Sequence, residues 1–133
     1  MDNAIKLVII GGVAGGATAA ARARRLSEKA EITIIERGEY ISFANCGLPY
    51  HIGGVIKDRA KLLVQTPQGM KQRYRIEVKT NTEAVAIDRQ NHEIVVRERQ
   101  TGNTYRIHYD KLILSPGAAP IRPPIPGAEN PKV

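Results

Sequence analysis

A short apolar segment that runs directly into a cluster of glycines constrains the fold more than any other feature of the sequence. Residues 5–10 (IKLVII) are rich in β-branched side chains, which is typical of a strand buried in a parallel sheet. Residues 11–16 permit a tight turn, and the alanines and arginines of residues 17–26 predict a helix. A second apolar segment follows at residues 32–36. This order predicts two parallel strands joined by a right-handed crossover through one helix.

The glycine loop and an acidic residue downstream predict a dinucleotide site. Glycines at a strand-to-helix junction let the backbone approach a pyrophosphate, and the helix N-terminus offers free N–H groups. Glu36 stands twenty residues after Gly16, where it is placed to accept hydrogen bonds from a ribose. Read as G-x-G-x-x-G, the loop has Val13 in place of the middle glycine, so the pyrophosphate must tolerate a side chain there. The alternative is a glycine-rich turn in an α/β domain without a ligand.

The rest of the chain follows a different order of elements. Thr66 and Pro67 predict an N-cap and first turn of a helix that runs through about Arg75. Alternating apolar residues in 83–110, with turns at 88–91 and 100–103, predict an antiparallel three-stranded meander. Residues 111–114 predict a further strand. The expected fold class is α/β, a Rossmann-like parallel sheet with this meander, and the order of elements favours a flavin domain over a nicotinamide domain.

Composition narrows the classes of partner. The net charge of +7 favours anionic partners, but the chain has one phenylalanine, no tryptophan and no nucleic-acid motif, so we expect no nucleic acid. No signal peptide or membrane-spanning run is recognised, and we expect no membrane association. The single cysteine excludes an internal disulfide and a multi-cysteine metal site, and it fits a reducing compartment such as the cytoplasm. The histidines at 51, 92 and 108 have no ligand spacing, so we expect no metal.

The segment around the cysteine resembles a known family. Residues 42–50 (SFANCGLPY), together with residues 11–16 (GGVAGG) and 109–117 (YDKLILSPG), resemble the coenzyme A-disulfide reductases among the pyridine nucleotide-disulfide oxidoreductases. The resemblance implies an FAD-binding domain over residues 1–119 and a proline-rich linker over residues 120–133 toward a nicotinamide-binding domain. It also implies that NAD(P)H reduces the flavin, that the flavin reduces a mixed disulfide between Cys46 and coenzyme A, and that the full-length protein is a homodimer.

The resemblance also implies residue roles. Cys46 is the expected catalytic residue. The expected FAD-binding residues are Gly11, Gly12, Val13, Ala14, Gly15, Gly16, Glu36, Arg37, Val85, Ser115, Pro116 and Gly117. The expected coenzyme A-binding residues are Thr18, Arg22, Arg25, Ser42, Asn45 and Arg73. The spacing of Thr18, Arg22 and Arg25 places them on one helix face, which is also compatible with a solvated surface. For Arg73 the residues themselves favour a charge that complements the helix dipole over a phosphate contact.

Physical chemistry supports a redox role for Cys46. Pro49 suits the first turn of a short helix that Gly53 and Gly54 can end, which would place Cys46 at the N-terminus of that helix. Thiolate is the reactive form of cysteine, and a helix N-terminus favours negative charge. With no second cysteine in the chain, electrons must come from something adjacent, and a flavin is an available source. The alternative structural role is a buried core cysteine.

Three functional alternatives stay open. An NADH oxidase or peroxidase of the same family would use a cysteine sulfenic acid, but such enzymes typically have a histidine where this chain has Ala14 and a serine where it has Asn45. A reductase of coenzyme A persulfide shares nearly all the motifs. A noncatalytic flavin-binding module is the alternative from another class.

Overall fold

The computed structural model describes residues 4–131, which form seven β-strands and three α-helices. The strands are β1 (Lys6–Ile10), β2 (Glu31–Ile35), β3 (Ile76–Lys79), β4 (Thr82–Asp88), β5 (Glu93–Glu98), β6 (Thr104–His108) and β7 (Lys111–Leu114). The helices are α1 (Gly15–Leu26), α2 (Leu48–Ile52) and α3 (Pro67–Tyr74), and short 3-10 helices cover Asn45–Gly47 and Arg59–Leu62. The predicted fold class is confirmed: a parallel sheet of order β3-β2-β1-β7 accompanies an antiparallel sheet of order β4-β5-β6.

The parallel sheet forms the main core with α1 and α3. Ile9 pairs with Ile34 on β2 and with Ile113 on β7, and both Ile9 and Ile34 are completely buried. Ala20 on α1 and Met70 on α3 pack against these isoleucines, because both helices turn their apolar side toward the sheet. The predicted parallel pairing of β1 with β2 is therefore confirmed, and it brings the carboxyl ends of both strands to one edge.

β3 was not predicted from the sequence. β3 pairs in parallel with β2, but only two of its four residues, Ile76 and Val78, are apolar. Such a short strand directly after a helix gives too weak a periodicity to detect. By contrast, α3 begins as expected, with the Thr66 hydroxyl accepting a hydrogen bond from the Gly69 N–H.

The meander packs on the other face of the sheet and deviates from expectation in β4. Ile94 and Val96 are completely buried, as their alternation predicts, and Tyr105 and Ile107 pack beside them. Val85 and Ile87 belong to the same alternating pattern in the sequence, but they are 46% and 41% exposed. A β-bulge interrupts the ladder at Val85: Ala84 pairs with Val96 and Ala86 with Val95, so Val85 has no partner in the ladder.

The remaining segments are short. α2 has Pro49 in its first turn, and Gly53 follows its last residue, Ile52. Residues 120–131, the described part of the proline-rich segment, contain no helix or strand. Among the helices of residues 4–131, none combines the length and the apolar character needed to cross a bilayer.

Candidate functional site

The turn between β1 and α1 depends on close contacts that only glycine allows. Gly11 adopts a φ of +94°, and a Cβ added there would collide with the Ser115 carbonyl oxygen. A Cβ on Gly16 would collide with the Gly11 carbonyl oxygen. A Cβ on Gly15 would instead lie 3.3 Å from the Ser115 hydroxyl oxygen, which is only a tight contact. The turn is therefore locked against residues 115 and 116, at the end of β7.

The N-terminus of α1 carries free N–H groups. Within the described residues, no side chain caps this end, and the first turn contains no acidic residue. Ala14, the residue before the helix, is exposed, as is Gly15. Uncapped N–H groups and the helix dipole together favour an anion at this position.

Glu36 lies directly beside the glycine turn. Its Oε2 accepts a hydrogen bond from the Gly12 N–H at 2.8 Å, and its Oε1 accepts one from the Gly38 N–H at 2.7 Å. The residue is only 9% exposed. Each carboxylate oxygen has capacity for a second hydrogen bond, so Glu36 can hold the turn and still accept from ligand hydroxyls.

A cleft of about 130 Å³ opens between the glycine turn and the meander. It is lined by Ile10, Gly11, Ile35, Glu36, Arg37, Thr82, Glu83, Ala84 and Pro116. Four expected cofactor residues, Gly11, Glu36, Arg37 and Pro116, thus meet at one site. Val85 does not line this cleft, although its neighbour Ala84 does.

Thr82, Glu83 and Ala84 were missed by sequence reasoning, because their position at the cleft follows from the packing of two sheets. Arg97 on the adjacent strand donates a hydrogen bond to Glu83 at 2.9 Å, which lowers the pKa of that carboxyl. The nearby charges of Arg99 and Arg37 lower it further. One wall of the cleft therefore carries a stable negative charge among arginines.

The cysteine lies in a turn that is anchored on both sides. Cys46 is exposed, and it occupies the middle of the 3-10 helix that continues directly into α2. The Ala44 N–H donates to the Leu62 carbonyl at 2.8 Å. Gly47 is buried, and a Cβ added there would lie 2.6 Å from a Leu62 methyl carbon. Buried Leu62 thus contacts the cysteine turn on its inner side, and Cys46 is exposed on the outer side.

Ser42 connects this turn to the glycine turn. The Ser42 N–H donates to the Gly12 carbonyl at 2.9 Å, and the Ser42 carbonyl accepts from the Val64 N–H at 3.1 Å. Ser42 has a φ of +50°, a left-handed conformation that is uncommon for serine. The backbone therefore bends sharply between the glycine turn and the cysteine turn and ties the two together.

Two of the three arginines of α1 share an exposed face with Thr18. Thr18, Arg22 and Arg25 are all exposed, on the side opposite the buried Ala20. Within residues 4–131, the side chains of Arg22 and Arg25 form no hydrogen bond or ion pair. Asn45 is also exposed, and Arg73 on α3 stacks over the Tyr74 ring at 5.3 Å.

The intervening Arg24 behaves differently, because it is buried and bonded to backbone carbonyls at the ends of α1 and α3. In the alanine and arginine run, the one sequence signal that separates Arg24 from Arg22 and Arg25 is its helical spacing, which places Arg24 on the buried face of α1.

The sequence of residues 5–133 matches a known family. The family model described as pyridine nucleotide-disulphide oxidoreductase matches residues 5–133. The chain belongs to this family. Members of the pyridine nucleotide-disulphide oxidoreductase family bind FAD and depend on NAD(P)H, so the expected cofactor class is confirmed.

Curated relatives carry a more specific name. The coenzyme A disulfide reductase of Staphylococcus haemolyticus is 48% identical over 113 residues, which is 85% of this chain and 26% of the relative. The Staphylococcus aureus enzyme of the same name is 47% identical over 114 residues, 86% of this chain and 26% of the relative. The chain thus spans about a quarter of the length of these relatives.

Solved structures agree with the fold. Reduced Bacillus anthracis CoADR-RHD matches with a TM-score of 0.90 and 56% identity, covering 95% of this chain and 23% of that chain. An NAD-dependent persulfide reductase from A. fulgidus matches with a TM-score of 0.89 and 37% identity, covering 94% and 23%. The water-forming NADH oxidase of Lactobacillus brevis matches with a TM-score of 0.88 and 29% identity, covering 97% and 28%.

The residues of this pyridine nucleotide-disulphide oxidoreductase fit the flavin cofactor of its family. The uncapped α1 N-terminus suits a pyrophosphate, and Glu36 retains lone pairs for ribose hydroxyls. The side-chain-free surface at Gly15 allows close approach of a ligand. The roles of individual residues stay predictions.

Proposed function

We propose that this chain is the FAD-binding N-terminal region of an NAD(P)H-dependent oxidoreductase that reduces coenzyme A disulfide through Cys46. The observation that carries the proposal is the hydrogen bond from the Ser42 N–H to the Gly12 carbonyl at 2.9 Å. It ties the turn with the exposed cysteine to the glycine turn that suits a dinucleotide. The names of the Staphylococcus relatives support the choice of coenzyme A disulfide as substrate.

Cofactor binding follows the geometry of the cleft. Residues 11–16 and the first turn of α1 would hold the pyrophosphate, and Glu36 the adenosine ribose, with Arg37 beside it. Ser115, Pro116 and Gly117 would cover the cofactor from the β7 side, since Pro116 already lines the cleft. Val85 would contribute backbone groups, which the bulge leaves outside the strand ladder.

Substrate binding uses two kinds of residue. Arg22 and Arg25 on the exposed face of α1 would pair with the phosphates of coenzyme A, because arginine forms strong charge-assisted hydrogen bonds to phosphate. Thr18 shares that face, and Arg73 would add a contact from α3. Ser42 and Asn45 lie in the cysteine turn and would contact the part of the substrate near its sulfur.

The chemistry of Cys46 is thiol-disulfide exchange. The Cys46 thiolate attacks one sulfur of coenzyme A disulfide, the substrate S–S bond breaks, and one coenzyme A leaves as thiolate. A mixed disulfide between Cys46 and the second coenzyme A remains. FAD, when bound, supplies the two electrons that originate from NAD(P)H. Cleavage of the mixed disulfide then returns Cys46 as thiolate and releases the second coenzyme A, which takes up a proton.

Intact-mass analysis tests this proposal. Full-length protein purified without reductant should carry one adduct with the mass of coenzyme A, and NAD(P)H should remove it. A Cys46→Ser variant should lack the adduct and the reductase activity while retaining FAD. Full activity in Cys46→Ser would overturn the proposal, and a sulfenic acid at Cys46 instead of the adduct would indicate the oxidase or peroxidase branch.

A coenzyme A persulfide is the second candidate substrate, because the likeness to the A. fulgidus persulfide reductase covers 94% of this chain at 37% identity. The same cysteine turn and basic helix face would bind either compound. Steady-state rates of the full-length protein with coenzyme A disulfide and with coenzyme A persulfide, measured under one set of conditions, separate the two.

We also propose that residues 1–119 form the FAD-binding domain and that residues 120–133 lead to a nicotinamide-binding domain. The lack of helix or strand in residues 120–131 supports this boundary, and the greater length of the Staphylococcus relatives supports a further domain in the full-length protein. A homodimer and a cytoplasmic location complete the proposal, and the exposed lone thiol suits a reducing compartment. Light scattering of the full-length protein should give twice the monomer mass.

A further inference from the structure

One buried arginine ties the ends of two helices together beneath the basic face. Arg24 lies on the core side of α1, and only 9% of its surface is exposed. Its Nε donates to the Tyr74 carbonyl at 2.8 Å and its Nη2 to the Arg75 carbonyl at 2.9 Å. Its Nη1 donates to the Ser27 and Glu28 carbonyls at 3.0 and 2.8 Å. Each nitrogen of the guanidinium thus bonds to backbone.

These four acceptors belong to the C-terminal ends of α1 and α3. Carbonyls at such ends lack partners within their helix and carry partial negative charge, which a cation stabilises. Arg75 adds a contact in the opposite direction, from α3 to the end of α1, because its Nη2 donates to the Glu28 carbonyl at 3.2 Å. Burial and the neighbouring charge of Arg75 lower the pKa of Arg24, although a guanidinium remains charged in proteins. We name this arrangement of Arg24, Arg75 and their acceptors the Arg24 clamp.

The Arg24 clamp adds directional contacts between α1 and α3, which the apolar core beneath the helices lacks. Ala20 and Met70 hold α1 and α3 on the sheet, but hydrophobic contacts are non-directional and permit small shifts of one helix along another. A planar guanidinium bonded to four fixed carbonyls is directional. It sets the position of the last turn of α3, which carries Arg73, relative to α1.

We propose that Arg24 is a positioning residue for phosphate recognition: by fixing the end of α3 against α1, it sets the spacing between Arg73 and the exposed pair Arg22 and Arg25. This inference rests on the proposed function, because it takes the phosphates of coenzyme A as the ligand. Arg24 itself makes no contact with the substrate, since all its donor nitrogens are directed to backbone carbonyls.

Two disulfide substrates separate positioning from a general structural role. Coenzyme A disulfide carries the phosphorylated nucleotide, whereas pantethine has the same disulfide-bearing arm without it. In full-length protein, Arg24→Met should raise the KM for coenzyme A disulfide by about tenfold, a loss of about 1.4 kcal/mol of binding. Its kcat, its FAD content and its KM for pantethine should stay at wild-type values. Arg89→Met, at an exposed turn of the meander, is the matched control and should change neither KM.

A second variant and a second readout keep the inference testable if Arg24→Met does not fold. Arg24→Lys retains the charge but cannot reach all four carbonyls, so it should shift the ratio of the two KM values in the same direction by a smaller factor. Calorimetry at low salt should show weaker binding of adenosine 3′,5′-bisphosphate to the same variant.

Each other result counts against the positioning role. Equal losses with both substrates, an unchanged KM for coenzyme A disulfide, or an Arg24→Lys variant that does not fold would assign Arg24 to structure alone. If the wild-type protein has the same KM for coenzyme A disulfide and for pantethine, the proposed phosphate site is refuted, and this inference with it. If the wild type does distinguish the two substrates and both Arg24 variants behave as the wild type does, only the role of Arg24 is refuted.

Discussion

The Glu36 carboxylate and the Gly12 backbone N–H form a hydrogen bond of 2.8 Å, which joins the end of β2 to the glycine turn between β1 and α1. One oxygen therefore holds the turn, and the second holds Gly38. The acid that sequence spacing assigns to a ribose is thus also part of the frame that shapes the site. Mutation of Glu36 should affect the turn and the ligand together.

Glu36→Ala in the full-length protein should weaken FAD binding by about 1–3 kcal/mol, because a buried charged acceptor for two backbone N–H groups and for ribose hydroxyls is lost. FAD fluorescence during stepwise dilution measures the dissociation constant. Glu39→Ala, at an exposed position three residues away, is the control and should bind FAD as the wild type does. Unchanged affinity in Glu36→Ala would contradict the assignment.

Two glycines of the turn should respond differently to alanine. Gly16→Ala forces a Cβ against the Gly11 carbonyl, so we expect it to lower the free energy of unfolding by about 3 kcal/mol. Gly15→Ala brings its Cβ only to 3.3 Å from the Ser115 hydroxyl, and it should change stability by less than about 1 kcal/mol. Thermal denaturation of the two variants side by side decides the matter, and equal losses would refute the geometry of the turn.

The cysteine turn should be sensitive to the size of residue 47. Gly47→Ala places a Cβ 2.6 Å from a Leu62 methyl carbon, so the turn must shift, at a cost of about 1–3 kcal/mol. We expect a lower rate of coenzyme A disulfide reduction with FAD content unchanged. Adding Leu62→Val removes the crowded methyl group and should restore part of the rate. If Leu62→Val restores none of the rate, crowding between residue 47 and Leu62 is not the cause of the loss.

Arg22→Ala and Arg25→Ala should each raise the KM for coenzyme A disulfide in the full-length protein, with little change in kcat. Both side chains are exposed, so the attraction to phosphate should be strongest at low salt and should fade as ionic strength rises. Steady-state kinetics at two salt concentrations measure this, with Arg89→Ala as control. If all three variants match the wild type at low salt, the basic face of α1 is solvated surface.

The pair of Glu83 and Arg97 should make stability depend on acid pH. The hydrogen bond from Arg97 lowers the pKa of Glu83 below that of an unfolded glutamate, about 4.3. The stabilisation is therefore complete above that pH and is lost as the pH falls through the lowered pKa. Urea unfolding from pH 7 to pH 3 should show Glu83→Gln less stable than the wild type at neutral pH, with the difference shrinking in acid. A difference that stays constant would exclude the linkage, and Glu39→Gln controls for charge alone.

The sequence by itself determined the features that depend on neighbouring residues. The apolar run of β1, the glycines of the turn and the spacing to Glu36 predicted a parallel strand pair with a dinucleotide site, because strand periodicity and glycine conformations are local properties. The Thr66 cap and the turns of the meander were predictable for the same reason.

Tertiary structure decided the features that depend on contacts between distant segments. β3 forms because β2 offers it an edge, and Val85 lies outside the ladder at a β-bulge between β4 and β5. Arg24 lies in the same alanine and arginine run as Arg22, but its contacts with the ends of α1 and α3 make it a buried clamp. The energies of such contacts depend on partners tens of residues away, so no local pattern of residue types contains them.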